Sequence, residues 1–181
     1  MIIDEWKKFK GWLVIEYFLR TNKEIHVKGL AKELKISPQT ANYYLKFYKK
    51  EGILRERKEG NLMLYSLTDN CLVRELKIFY ILNILSEFSK KFVKENKVTS
   101  LVLYGSHASG TYDKNSDIDL LVISQTKKLN FNGIKALERK TGKEVKIQVF
   151  TLGEWRNLKR KKDSFVRSVL SKYILLYGAE I

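Results

Sequence analysis

Residues 103–122 read LYGSHASGTYDKNSDIDLLV and hold the side chains best suited to chemistry. Asp117 and Asp119 stand two apart in a run that predicts a strand re-entered at Ser116. Strand side chains alternate faces, so the two carboxylates share one side while Ile118 and Leu120 point to the core. Carboxylates held together repel unless a cation lies between them, and a hard divalent ion such as Mg²⁺ is their usual partner. Gly105-Ser106 follows the apolar run Leu101-Val102-Leu103 at a predicted strand-to-helix junction. Backbone N–H groups at such a junction suit phosphate oxygens. Metal carboxylates beside a phosphate loop imply nucleotide chemistry. The plain alternative is a hairpin with two surface aspartates.

Gly105, Ser106, Gly110, Ser116, Asp117, Asp119 and Leu120 resemble the signature of the nucleotidyltransferase superfamily that includes DNA polymerase beta: Gly-Ser, a spacer, then Asp-x-Asp. The Leu-Tyr-Gly-Ser entry and Ser-Asp-Ile-Asp-Leu-Leu-Val exit are similar to the small prokaryotic members. The resemblance implies that Gly105 and Ser106 bind the triphosphate of an NTP, with Ser116 counted in the same nucleotide site. It implies that Asp117 and Asp119 are the catalytic carboxylates and hold Mg²⁺. The superfamily also places a third carboxylate on a later strand. The corresponding segment, Glu144 to Phe150, alternates, with Val145, Ile147 and Val149 toward the core. Matching it puts Lys146 at the third position. An ammonium there can stand in for one metal ion, but it cannot serve as a carboxylate ligand of a two-metal site. Glu144, one same-face step earlier, is the substitute catalytic carboxylate. His107 stands where small members often carry arginine, so it either touches a phosphate or faces solvent in the loop. His26 reads as structural.

At 181 residues the chain can bury one sizeable core or two small ones. Hydrophobic residues make up 44% and charged residues 30%, ordinary for a globular protein, but the formal net charge is +15. Such an excess attracts polyanions, most simply nucleic acid. It is spread over both halves, so charge alone does not locate the surface, and a lysine-rich surface of a heat-adapted protein gives the same total. The single cysteine, Cys71, excludes an internal disulfide, and no Cys/His cluster suits zinc. No stretch reaches the roughly 20 apolar residues of a membrane span, and a secretion-signal pattern is missing from the first residues, so the cytoplasm is the expected compartment.

Residues 1–70 read as a separate module. Phe9 to Leu19 predicts a buried helix and Ile25 to Val27 a short strand. A helix with Leu30, Ala31 and Leu34 inward comes next. Ser37 caps the following helix, Pro38 to Glu51, and Pro38 takes its first position. Gly52 ends it, and Ile53–Glu59 with Leu62–Leu67 form two strands joined by Gly60-Asn61. This order resembles a winged helix-turn-helix domain over about residues 6–68. That resemblance implies nucleic-acid binding, to DNA first, or alternatively a protein contact. The helix from Pro38 would enter the major groove. With Ala41, Leu45 and Tyr48 inward, Gln39, Thr40, Asn42, Tyr43 and Lys46 point outward. Arg55, Arg57 and Lys58 load the hairpin with positive charge.

Cys71 to Lys97 predicts one long linking helix. Its stripe of Leu72, Leu76, Phe79, Leu82, Ile84, Leu85, Phe88 and Phe92 is wider than one neighbour needs, and its surplus face is expected to pair with a second chain as a homodimer. Gly153 to Ile181 is expected to be helical. Trp155, Leu158, Phe165, Val166, Val169, Leu170 and Ile174 face the core, and the basic run Arg156 to Lys162 is either a solvated face or a phosphate guide. Ser164-Phe165 and the ending Leu175 to Gly178 extend the transferase resemblance from about Val98 to Gly178.

The expected fold is α+β. It comprises a winged helix of three helices plus a β-hairpin (1–70), a linking helix (71–97), and a minimal nucleotidyltransferase α/β domain with a mixed sheet (98–181). The expected function is Mg²⁺-dependent transfer of NMP from an NTP to a hydroxyl acceptor, coupled to nucleic-acid binding. The alternative is a DNA-binding transcription regulator whose transferase domain is inactive. Lys146 favours the second and the intact Asp117 and Asp119 favour the first. Some minimal family members serve as antitoxins, and no residue here identifies such a partner.

Overall fold

The computed structural model describes residues 5, 6 and 8–181. It divides into two units, Met1–Tyr80 and Ile81–Ile181.

In the first unit, helix α1 (Lys10–Thr21) buries Val14, Ile15, Phe18 and Leu19, the spacing of an amphipathic helix. Strand β1 is Ile25–His26, and Val27 opens helix α2 (Val27–Leu34) instead of extending the strand. Helix α3 (Pro38–Lys50) begins as its sequence signals: the Ser37 hydroxyl accepts from the Thr40 N–H at 3.0 Å, and Pro38 lacks the N–H that the first turn leaves unused. Ala41 and Leu45 are fully buried beneath it. Strands β2 (Leu54–Glu59) and β3 (Leu62–Leu67) pair antiparallel, with Glu59 opposite Leu62. That register leaves Gly60-Asn61 as a two-residue turn, and Gly60 takes the positive φ (58°) such turns require. The sheet order is β1-β3-β2. Three helices and a hairpin in this order are the winged-helix architecture that the sequence implies.

Helix α4 runs from Cys71 to Glu95. The division between the units falls inside it, between Tyr80 and Ile81. Its packed stripe also differs from the expected one. Val73, Ile78, Tyr80, Ile81, Ile84, Leu85 and Phe92 are buried, whereas Leu72 and Phe79 are exposed. Phe79 stacks against Trp6, with ring centroids 5.7 Å apart. A helix apolar on several faces offers more than one stripe, and periodicity cannot choose which is covered.

The second unit is built on a mixed sheet of order β6-β5-β4-β7. Strands β4 (Val98–Tyr104) and β5 (Ile118–Ser124) are antiparallel and central, with helix α5 (Gly105–Ser109) between them in sequence. Helix α6 (Ile134–Thr141) leads to β6 (Val145–Thr151), which runs parallel to β5. Helices α7 (Leu152–Arg160) and α8 (Ser164–Ser171) then cover one face of the sheet. There Trp155, Val166 and Val169 pack with Val102, Leu121 and Ile123.

The chain beyond α8 corrects the expectation of a helical C-terminus. Tyr173–Gly178 forms strand β7, antiparallel to β4, with Leu103 opposite Ile174. The run YILLYG is rich in aromatic and branched residues and short enough for a strand. Gly178 closes the strand at φ +88°, and a Cβ there would stand 1.9 Å from the Thr99 carbonyl oxygen.

Candidate functional site

The site lies where β4 ends and β5 begins. Gly105 turns the chain out of β4 into α5 with φ +71°. An added Cβ would meet the Asp119 Oδ2 at 2.6 Å, so only glycine lets the backbone approach this carboxylate. Gly105 is exposed and Ser106 partly exposed, both at the start of α5. Strand β5 starts at Ile118, two residues later than expected. Ser116 therefore belongs to the preceding loop. Its hydroxyl donates to Asp113 Oδ1 at 2.9 Å and accepts from the Asp113 N–H, which closes that loop. Asp117 and Asp119 are both partly buried, while Ile118 and Leu120 are wholly buried, the alternation read from the sequence.

Strand β6 brings Lys146 into register with Asp119. The Lys146 ammonium lies 2.5 Å from Asp117 Oδ2 and its pKa is raised, first by that hydrogen bond. Asp119 experiences opposing influences. Burial raises its pKa, Lys146 lowers it, Asp117 raises it, and the net shift is upward. Tyr104, opposite Asp119 across the β4–β5 ladder, is pushed up to about 12, chiefly by burial. Glu144 precedes β6 and is exposed, and its backbone carbonyl accepts from the Ile118 N–H at 2.9 Å. Its side chain lines an open groove with Lys135, Glu138, Arg139, Gly142 and Lys143 and is felt by Lys146.

Two oxygen ligands at the start of β5 suit one Mg²⁺, which is commonly held by one or two carboxylates plus substrate phosphates. A second ion lacks a carboxylate of its own. Among the described residues no three His, Cys, Asp or Glu side chains gather, and Lys146 occupies the register position opposite Asp119.

One residue at the site, Lys143, carries no signal in the sequence. The Lys143 ammonium donates to the carbonyls of Asp113 (2.6 Å) and Ser116 (3.2 Å), fastening the loop that delivers Asp117. It also lies 5.5 Å from the centre of the Tyr112 ring. His107, expected at a phosphate or in solvent, does neither. It is fully buried and stacks on Tyr112 with ring centroids 4.2 Å apart. A helix turning inward from Gly105 places its third residue in the core, which linear position does not reveal.

A family model described as a nucleotidyltransferase domain matches residues 85–176, which contain all of these residues. The chain belongs to this family. The match begins inside α4, ahead of β4. A second model, winged helix-turn-helix DNA-binding, matches residues 16–55, from within α1 to the first residues of β2. Among solved structures, a Sulfolobus solfataricus protein described as a nucleotidyltransferase is 18% identical. That match covers 61% of this chain and 92% of the other, with a TM-score of 0.38. A toxin–antitoxin with AMP-PNP is 22% identical over 52% of this chain and 74% of the other (TM-score 0.36). A Methanosarcina mazei protein described as a transcriptional regulator is 15% identical over 48% and 77% (TM-score 0.35).

On the winged helix, Gln39, Tyr43 and Lys46 are exposed on α3, and Thr40 and Asn42 are partly buried. Arg55 and Lys58 are exposed on the hairpin, where the Arg55 Nε donates to the Ser66 hydroxyl at 3.1 Å. Arg57 is committed within the protein. Its guanidinium pairs with Glu24 at 2.6 Å and with Glu59. No helix among the described residues is long and apolar enough to cross a membrane.

Proposed function

We propose that the chain binds an NTP with Mg²⁺ and transfers its NMP to a hydroxyl acceptor, while the winged helix holds nucleic acid. The observation that carries this reading is the fit of Gly105 against Asp119. A residue with positive φ and no Cβ packed on a half-buried carboxylate is how a phosphate loop and a metal ligand are brought together. Asp117 and Asp119 would hold the ion. When bound, Mg²⁺ supplies neutralisation of charge on the triphosphate and on the leaving pyrophosphate. The Gly105 and Ser106 backbone would bind the β- and γ-phosphates, with Ser116 shaping the loop beside them. Lys146 adds a fixed positive charge within the same site. The acceptor oxygen bonds to the α-phosphorus, the bond from that phosphorus to the β-phosphate oxygen breaks, and the acceptor proton passes to water or to Glu144. Positioning and electrostatics carry most of such a step. Gln39, Thr40, Asn42, Tyr43, Lys46, Arg55 and Lys58 would contact nucleic acid, and Arg57 would contact it only by leaving its carboxylates. The half-exposed Leu72 supports pairing with a second chain through α4, and light scattering that shows a monomer at micromolar concentration would remove that part.

A second reading is a DNA-binding regulator whose transferase domain binds nucleotide without turnover. The Lys146–Asp117 ion pair favours it, because a cation already sits on one of the two metal ligands.

Calorimetric titration of each NTP with and without Mg²⁺, against Asp117→Asn/Asp119→Asn, tests the site. Mg²⁺-dependent binding lost in the double variant is the expected result, and transfer from α-labelled NTP then separates the two readings. No binding to any NTP would overturn the nucleotide site.

A further inference from the structure

We propose that the outward face of α3 is a stacking platform for single-stranded nucleic acid, an inference that rests on the nucleic-acid reading of the winged helix above. Gln39, Tyr43, Lys46, Phe47 and Lys50 recur at helical spacing and form one stripe. All five are exposed, with Tyr43 at 63% and Phe47 at 44%, while Ala41 and Leu45 on the opposite side are wholly buried. A helix that places two large rings and two ammonium groups in solvent on one line is built for a ligand with flat apolar faces and negative charge.

The rings are also braced. Tyr43 meets Tyr44 edge-on at 5.1 Å, and Phe47 meets Tyr48 edge-on at 5.3 Å. Tyr44 and Tyr48 stack on each other at 6.3 Å. The inner pair is anchored, since the Tyr48 hydroxyl donates to the Gly11 carbonyl at 2.9 Å and Tyr44 meets Phe9 edge-on. Each outer ring therefore has a fixed inner neighbour, and little freedom remains to be lost on binding.

The chemistry favours unpaired bases over a duplex. A double helix hides its base faces and shows a protein polar edges, among which only the thymine methyl suits a phenyl ring. Phe47 has no hydrogen-bonding atom and would leave edge donors and acceptors unsatisfied. Single strands expose base faces, and stacking on aromatic side chains beside cations is how they are held. Tyr43 and Phe47 stand one turn apart, roughly 6 Å along the axis. That is close to twice the roughly 3.4 Å rise between bases, so one strand can reach both rings.

The test is fluorescence anisotropy of the full chain with labelled oligothymidylate and with a duplex of equal length at the same salt. The single strand is expected to bind tighter. Tyr43→Ala and Phe47→Ala should each weaken single-strand binding by about tenfold or more, and Phe47→Ala should leave duplex binding nearly unchanged. Lys46→Ala should weaken both and lower the salt slope by about one ion. Both rings are exposed, so the variants should keep the parent's circular dichroism and melting temperature. Duplex binding as tight as single-strand binding overturns the platform alone, as does single-strand binding indifferent to both ring deletions. Binding to neither ligand overturns the platform and the nucleic-acid reading together.

Discussion

The ammonium of Lys146 and the carboxylate of Asp117 form an ion pair, Nζ to Oδ2 2.5 Å, although Asp117 precedes β5, Lys146 lies on β6, and the two are far apart in the chain. The parallel register that sets Lys146 opposite Asp119 creates this contact. Half of the Lys146 side chain is exposed, so the pair is open to solvent and can exchange partners.

Lys146→Met should therefore raise Mg²⁺ affinity in the presence of NTP roughly two- to fivefold, the scale of a partly exposed ion pair. Lys146→Asp should go further and raise NMP transfer from α-labelled NTP, by supplying a third carboxylate. A folded Lys146→Asp protein with no gain in transfer would show that position 146 is not the third carboxylate position.

Gly105→Ala forces a Cβ into the space of Asp119 Oδ2 and an alanine into the left-handed region. The backbone strain alone should cost about 1–2 kcal/mol, lowering the melting temperature by roughly 2–8 °C in a chain of this size. Displacement of Asp119 should weaken Mg²⁺-dependent NTP binding by about tenfold or more. Calorimetry that finds unchanged binding would dissociate the glycine from the nucleotide site.

Lys143→Met removes the two hydrogen bonds that fasten the loop at Asp113 and Ser116. After allowance for partial exposure, the loss should be about 1 kcal/mol. Hydrogen exchange at residues 113–117 should quicken, and NTP affinity should fall with it. Exchange as slow as in the parent would mean that the loop is held by the Asp113–Ser116 hydrogen bonds instead.

The charge of Glu154 should be visible in the acid limb of stability. Lys127, 2.6 Å away, and the Thr151 N–H hold its carboxyl down at about 2, against an ordinary value of 4.5. A group lowered on folding contributes stability above its unfolded pKa and loses it as pH falls toward the folded one. Glu154→Gln keeps a capping residue for α7 but removes the charge. Its melting temperature should lie below the parent's at pH 7, and the two curves should converge between pH 4.5 and pH 2. Parallel curves across that range would exclude the ion pair as the cause. Thr151→Ala, which deletes the cap itself, should cost about 1 kcal/mol at either pH.

The local rules were legible. Ser37-Pro38 started α3, Gly60-Asn61 turned the hairpin, and the alternation around Ile118 and Leu120 set Asp117 and Asp119 apart from the core. Each rests on interactions within a few residues, which a linear chain displays. Where several faces or conformations were equally apolar, the sequence could not choose. In α4 it marked Leu72 and Phe79 for burial, and packing selected Val73, Ile78 and Ile81. It made YILLYG helical, and the free edge of β4 took it as a strand.

By itself, then, the sequence determined the two folds and the pair of carboxylates beside a glycine turn, because periodicity, caps and turn residues act over short range. The resemblance already set Lys146 beside those carboxylates. Only the tertiary structure decided that it pairs with Asp117 through the β5–β6 register, that Lys143 closes the loop, and that His107 turns inward onto Tyr112. The Lys146 and Lys143 contacts join residues distant in the chain, and they depend on sheet order and register, which no local pattern encodes.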